Sequence, residues 1–293
     1  MNDFHQKLTA FRHDLHRHPE LGFEETRTKA KIASALRAFG LRVSEGVGIV
    51  GVLKCGSGNR AIALRADMDA LPISETSAHD YSSLTPGIMH ACGHDGHTTM
   101  LLGAAEVLSQ SHDFDGTVIF VFQPNEEHGL GACAMLDDGF KERFAPDEIY
   151  AIHNLPGAPL AEVSTRVGQI CASESLFEIH ITGQGGHAST PHLCADAITV
   201  AAELVMAFQS IVARKLHPGA GAVVSVTEIS SDGQRNILPG TALLKGDVRA
   251  RRPQDRDEIK KFMHQITSGL ATTHNVQIDM QFDTEFIETI NSK

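Results

Sequence analysis

Apolar positions along the chain recur with two different periods, and the places where one gives way to the other mark the elements. Phe4, Leu8, Phe11 and Leu15 fall on one helical face, and Pro19 closes that helix. A second helix is expected over residues 25–39, with Gly40 as its stop. Apolar and β-branched runs then predict strands at residues 49–55 and 61–65, a helix at 98–110 and a buried strand at 117–123 (TVIFVFQ). A short helix at 131–140 and a strand at 148–152 follow. Continuous apolar strands alternating with helices predict an α/β domain whose sheet is covered on both faces. The remainder is organised differently. It reads as strand 176–182, long helix 194–216, strands 222–229 and 237–250, helix 255–273 and strand 276–282. That β-α-β-β-α-β order predicts a ferredoxin-like α+β domain. The boundary falls near Ser173, which gives domains 1–173 and 174–290.

Composition narrows the class. A chain of 293 residues has room for two domains. Its net charge of -11 argues against a nucleic-acid partner, whose phosphates call for basic surface. Anionic small molecules stay open, because one arginine or a metal ion overrides the global field locally. The apolar runs fall short of the ~18–20 residues of a membrane span. The first twenty residues alternate charged and apolar positions without a signal-peptide core, so the cytoplasm is the expected compartment and no membrane partner is expected. Cys55, Cys92, Cys133, Cys171 and Cys194 are odd in number and irregular in spacing, which argues against a disulfide framework.

In an open α/β sheet, sites form beyond the carboxyl ends of the strands. Asp67 and Asp69 follow strand 61–65, Glu126 and Glu127 follow strand 117–123, and His153 follows strand 148–152. The run His90-Ala91-Cys92-Gly93-His94-Asp95-Gly96-His97 leads into the helix near Thr98. Adjacent glutamates ordinarily form a solvated turn, and a histidine after a strand is ordinarily structural. The HACGHDGH run on its own admits a catalytic metal site, a structural zinc site or a reactive cysteine. What favours the first is that all four groups stand at strand ends or beside them. Zinc and its neighbours accept thiolate, imidazole and carboxylate together, and a catalytic site keeps one position for water. Of an adjacent glutamate pair, one carboxylate can bind metal while the other moves protons.

Seven segments occur together and in order: FRHDLHRHPELGFEE, ALRADMDALPI, MHACGHDGHTTMLLGAA, QPNEE, the His153 region, GGHAS and RNILPG. With them the chain resembles the aminoacylase-like zinc exopeptidases, in the amidohydrolase branch of hippurate hydrolase, indole-acetyl-amino-acid hydrolase and N-acetyl-diaminopimelate deacetylase. The resemblance implies a metal-dependent amidohydrolase acting on N-acyl amino acids, with two divalent ions (zinc or manganese, cobalt also being compatible). It implies an α/β catalytic domain with an inserted ferredoxin-like lid through which two copies dimerise. Carried over by position, Cys92, His94, Glu127 and His153 are the implied metal ligands and Glu126 the implied general base. His187 of GGHAS matches a lid histidine that in relatives reaches the partner subunit's site and steadies the oxyanion. Asn236 and Arg249 match substrate-binding positions, and Arg249 is the candidate for the substrate carboxylate, which guanidinium grips with two parallel hydrogen bonds.

Sister branches carry a His-x-Asp metal motif where this chain has Asp67 and Asp69. The resemblance therefore implies that Cys92 replaces that ligand, leaving Asp67 and Asp69 to orient the others. It also implies a return to the catalytic domain after the lid, with one more histidine ligand. The sequence runs to Asn291-Ser292-Lys293 as the lid ends, so a catalytic domain incomplete at its C-terminal end is expected. Two rival readings accompany this one. One is a catalytically impaired or inactive short homologue serving as a metal-binding or dimerisation module. The other is a cysteine hydrolase using Cys92 with His94 or His97.

Overall fold

In the computed structural model, which describes residues 3–293, both N-terminal stripes become helices: α1 (Asp3–Arg17) and α2 (Thr26–Ala38). The stripe of α2 buries Thr28, Ile32, Ala33 and Leu36, a spacing that keeps one face inward. Next come β1 (Arg42–Glu45), β2 (Ile49–Cys55) and β3 (Ala61–Asp67). They are followed by α3 (His94–Ser111), β4 (Gly116–Gln123), α4 (Gly131–Asp137), α5 (Phe140–Phe144) and β5 (Glu148–Ala151). The strands form one sheet in the order β1-β2-β4-β3-β5. Strand β2 runs antiparallel to β1 and β4, whereas β3 is parallel to both β4 and β5. Alternation along β4 supplies two cores, as the period of two requires. Phe120 and Phe122 join Ile32, Leu36 and Leu102 on one face, while Ile119 and Val121 join Met135 and Phe140 on the other.

Three expectations change here. The helix expected at 98–110 starts at His94, because Gly93 takes the turn at φ 95° and the polar His94–His97 run forms a buried first turn. The helix expected at 131–140 breaks into two at Gly139, whose φ of 79° lies outside helical space. Cover on both faces holds at the sheet centre but not at its edge, where Ile149 and Tyr150 of β5 are more than half exposed.

Contacts divide the chain into two units, Met1–Leu160 and Ala161–Lys293. The second unit contains β6 (Gly168–Cys171), β7 (Ser173–Thr182), β8 (Gly186–His187), α6 (Ala197–Ser210), β9 (Ala222–Ser231) and β10 (Ile237–Leu238). It continues with β11 (Thr241–Ala250), α7 (Pro253–His274), β12 (Gln277–Phe286) and β13 (Thr289–Asn291). Its main sheet has the order β12-β7-β11-β9, antiparallel throughout, which is the ferredoxin-like arrangement. Phe177, Ile179 and Ile181 of β7 meet Val200, Leu204 and Phe208 of α6 and Ile259 and Met263 of α7. Strand β6 pairs with β13, and β8 pairs with β10.

The long helix expected at 194–216 is capped by Asp196, whose side chain accepts the Ile198 N–H, and ends in a wide turn over Ile211–Lys215. Together Ala197–Lys215 reach the length and apolar composition of a membrane span, with a mean hydropathy of 1.5, which corrects the reading that no run came near it. The buried stripe of α6 belongs to the core of this unit. The strand expected at 237–250 is interrupted at Pro239, which has no N–H to give a ladder.

Candidate metal centre

Because β3, β4 and β5 are parallel neighbours, their carboxyl ends open on one edge. Asp67 is the last residue of β3 and Asp69 lies two beyond. Glu126 and Glu127 follow β4, and His153 lies two beyond β5. The first turn of α3 brings His94 and His97 to the same edge, three residues apart on one helix face.

His94 organises the centre and is fully buried. Its Nδ1–H donates to the backbone carbonyl of Asp69 at 2.9 Å, with Asp69 Oδ1 at 3.2 Å. A carbonyl can only accept, so the Nδ1 proton is fixed and Nε2 is the atom left for a ligand. That Nε2 faces Asp67 Oδ1 at 3.7 Å, Glu127 Oε1 at 3.7 Å and Glu126 Oε2 at 3.9 Å. These are too long for hydrogen bonds. Neither Nε2 nor Glu127 Oε1 has a hydrogen-bond partner among the described residues, although both are buried. Two ligands ~2.1 Å from a shared cation at a tetrahedral angle sit ~3.4 Å apart, so the spacing suits a cation between them. A second group lies beside it, where Cys92 Sγ and His153 Nε2 are 3.3 Å apart. Cys92, His94 and His153 can place ligand atoms within 4.8 Å of one another, as can His94, Glu126 and Glu127.

The carboxylates around these groups are held in turn. Asp69 accepts the Glu127 backbone N–H at 3.1 Å. Asp67 accepts from His97 Nδ1–H at 2.7 Å and from Arg65 at 2.9 Å. On the other side of the ring, His97 Nε2 lies 2.5 Å from Asn154 Oδ1 and 3.0 Å from the Asn154 backbone nitrogen.

Charge follows this geometry. Burial works against a charged His94, yet the hydrogen bond with Asp69, the nearby Cys92 sulfur and the fields of Asp67 and Asp69 raise it to about 11. The hydrogen bond with Cys92 raises His153 to about 9 despite burial, and that bond together with the nearby His94 lowers the Cys92 thiol. Burial would raise Asp67, but the hydrogen bond from His97 and the charges of His94 and Arg65 hold it well below the usual carboxylate range. Burial, reinforced by Asp67, raises Glu126. The cluster thus binds protons strongly at the positions where ligand lone pairs converge, as a cation site does when no cation is bound.

All seven positions expected in the first unit therefore converge on one edge: Cys92, His94, Glu127 and His153 for metal, Glu126 as base, and Asp67 and Asp69 for orientation. His97, expected only as an alternative partner of Cys92 in the cysteine-hydrolase reading, can join Asp67 and His94 as a ligand group. Its signal was its place three residues after His94 in the motif. Arg65 and Asn154 had no sequence signal of their own. His90 is buried with neither ring nitrogen partnered among the described residues, and burial lowers it to about 4. The hydrogen bond of the Cys92 thiol goes to His153, while His94, the base named in the cysteine-hydrolase reading, also stands within ligand distance of it.

In the second unit, His187 on β8 is paired with Ile237, and the Ala188 N–H donates to the Asn236 carbonyl, so His187 and Asn236 stand together. Ser189 N–H donates to His187 Nδ1 at 3.2 Å, which leaves an outward Nε2–H. Arg249 on β11 is paired with Asp247 and Glu174.

The model of peptidase family M20/M25/M40 matches residues 63–251. Hippurate hydrolase of Campylobacter jejuni is 39% identical over 99% of this chain and 76% of its own. N-Acetyldiaminopimelate deacetylase of Exiguobacterium sibiricum is 36% identical over 96% and 77%. Among solved structures, the YXEP protein of Bacillus subtilis, described as a dinuclear metal binding peptidase of the M20 family, superposes with a TM-score of 0.84. It is 31% identical, covering 99% of this chain and 76% of its own.

Proposed function

Given that this chain belongs to peptidase family M20/M25/M40 and is a metal-dependent amidohydrolase, we propose that it hydrolyses the amide bond of small N-acyl amino acids with Glu126 as general base. The observation that carries the reading is the buried His94 Nε2, turned toward Asp67, Glu126 and Glu127 with no hydrogen-bond partner among the described residues. Such an atom fits a divalent cation. Cys92, His94, Glu127 and His153 would hold two such ions, and zinc, manganese and cobalt all accept this mixed sulfur, nitrogen and oxygen donor set. When bound, the cations supply Lewis acidity, which polarises the carbonyl and makes water nucleophilic near neutral pH.

The protein's own groups do the rest. Asp69 fixes His94 through its Nδ1–H and seats the Glu127 backbone, and Asp67 is anchored by His97 and Arg65. Glu126 is not needed as a ligand, and burial beside Asp67 raises its carboxyl, which favours its taking up a proton. It takes a proton from the attacking water and returns it to the departing nitrogen. Water adds to the carbonyl carbon, the C–N bond breaks, and acid and amine are released. The lid's His187 would offer its Nε2–H to the developing oxyanion in the site of a partner copy, where a preorganised donor is worth ~3 kcal/mol. Asn236 would bind substrate beside it, and Arg249 would exchange one of its two carboxylate partners for that of the substrate. Homodimerisation through the lid and a cytoplasmic setting complete the proposal.

The experiment is hydrolysis of N-acetyl and N-benzoyl amino acids by the metal-loaded chain and by Glu126→Gln. Turnover should fall by roughly 10²–10⁴-fold in the variant, with metal content unchanged. Undiminished turnover would overturn the assignment.

A further inference from the structure

The link between α1 and α2 takes no part in the chemistry above, yet it touches both loops that carry it. The Glu20 carbonyl accepts the Ala70 N–H at 2.9 Å, and Leu21 bridges to Ala70, one residue beyond Asp69. Glu25 Oε1 accepts the Asn125 N–H at 2.9 Å, one residue before Glu126. Glu25 occupies the N-cap position of α2, where a carboxylate ordinarily bonds to the first helical amides, but it makes no such bond. Glu20 does so instead, accepting from Arg27 and Thr28 at 2.9 and 2.7 Å. The carboxylate of Glu25 is thereby released to reach Asn125. It is 1% exposed, and its Oε2 has no hydrogen-bond partner among the described residues, a costly placement for a charge.

Asn125 is itself unusual. Its φ of 44° lies in left-handed space, which asparagine enters more readily than other side-chain-bearing residues. Its carbonyl accepts the Gly131 N–H at 3.0 Å, and its Oδ1 lies 2.8 Å from His128 Nδ1. Gly22 packs against the same side chain, and a Cβ on Gly22 would fall 2.1 Å from Asn125 Oδ1.

We propose that Glu25 and Gly22 are positioning residues for the hydrolysis: together they hold Asn125 in its left-handed conformation, which aims Glu126 and Glu127 at His94. Glu25 acts by accepting one backbone N–H, and Gly22 by leaving room for one side chain. This inference rests on the roles given above to Glu126 and Glu127.

The test compares the full chain with Glu25→Ala, Glu25→Gln, Gly22→Ala and Glu126→Gln. It measures Mn²⁺ affinity by calorimetry, then kcat and KM on N-acetyl and N-benzoyl amino acids after loading. Because a base displaced by ~1 Å loses on the order of 10²-fold, kcat should fall roughly 10–100-fold in Glu25→Ala and Gly22→Ala, with KM nearly unchanged. Mn²⁺ affinity should weaken by about tenfold or more as Glu127 shifts. Glu25→Gln keeps the accepting oxygen and should retain both quantities within about threefold. The proposal is overturned if both alanine variants keep wild-type affinity and kcat, or if Glu25→Gln is as damaged as Glu25→Ala. Wild-type turnover in Glu126→Gln would instead remove the general-base reading, while Mn²⁺ affinity would still decide for or against the brace.

Discussion

Loading the metal centre should release about two protons per chain at pH 7.5. In the metal-free chain His94 is held at about 11, because the hydrogen bond with Asp69, the nearby Cys92 sulfur and the charges of Asp67 and Asp69 outweigh its burial. His153 is held at about 9 by its hydrogen bond with Cys92. Both values exceed 7.5, so each ring carries both of its protons. The His94 Nδ1–H donates to the Asp69 carbonyl and stays, so the proton that must leave is the one on Nε2. At His153 the Nε2 proton, shared with Cys92, is the one displaced. The sign follows from linkage: each raised imidazole favours the metal-free fold fully below the unfolded value of 6.5. That contribution is lost as pH rises through about 9 for His153 and about 11 for His94. Apparent metal affinity should therefore climb about 100-fold per pH unit between ~7 and ~9, and about tenfold per unit beyond that. Calorimetric titration with Mn²⁺ in two buffers of different ionisation enthalpy counts the protons directly. His153→Ala should lower the count from about two to about one. A count near zero in the wild type would refute the reasoning, since it would mean that the rings are neutral before metal arrives.

Two further outcomes follow from the same electrostatics and bonding. Burial raises Glu25 from 4.5 to about 6, so its contribution to stability is full below 4.5 and is lost as pH rises through about 6. In urea unfolding, the wild type should lose ~2 kcal/mol relative to Glu25→Gln between pH 4.5 and 7.5; a constant difference across that range would contradict the buried charge. Asp69→Ala removes the acceptor of the Glu127 N–H and one acceptor of His94, and should weaken Mn²⁺ binding by roughly 10–100-fold. Unchanged affinity in that variant would show that the backbone carbonyl alone orients His94.

How much of this was legible depends on how far each cause reaches along the chain. Residue type and periodicity are local, so the two helical stripes, the apolar strands and the ferredoxin-like order could be read directly. So could the convergence of Asp67, Asp69, Glu126, Glu127 and His153, because parallel strands bring their carboxyl ends to one edge whatever else the fold does. Element ends were less legible where one glycine decided them, as at Gly93 and Gly139. The polar run at His94–His97 read as loop because helical burial of so many polar groups makes sense only when their partners are known.

Those partners lie far away in sequence. Glu25 meets Asn125 at a separation of 100 residues, His97 meets Asn154 at 57, and Arg65 meets Gln123 at 58. No local pattern encodes such a bond, so only the folded chain could show which buried carboxylates orient the site and which stand in it. The same holds for charge: His90 and His94 share one motif, yet burial lowers one to about 4 while neighbouring carboxylates raise the other to about 11. The sequence by itself determined which ligand types would gather at which strand ends. The tertiary structure decided which atom of each faces the shared edge and how each is charged, because desolvation and Coulomb fields depend on distances in space.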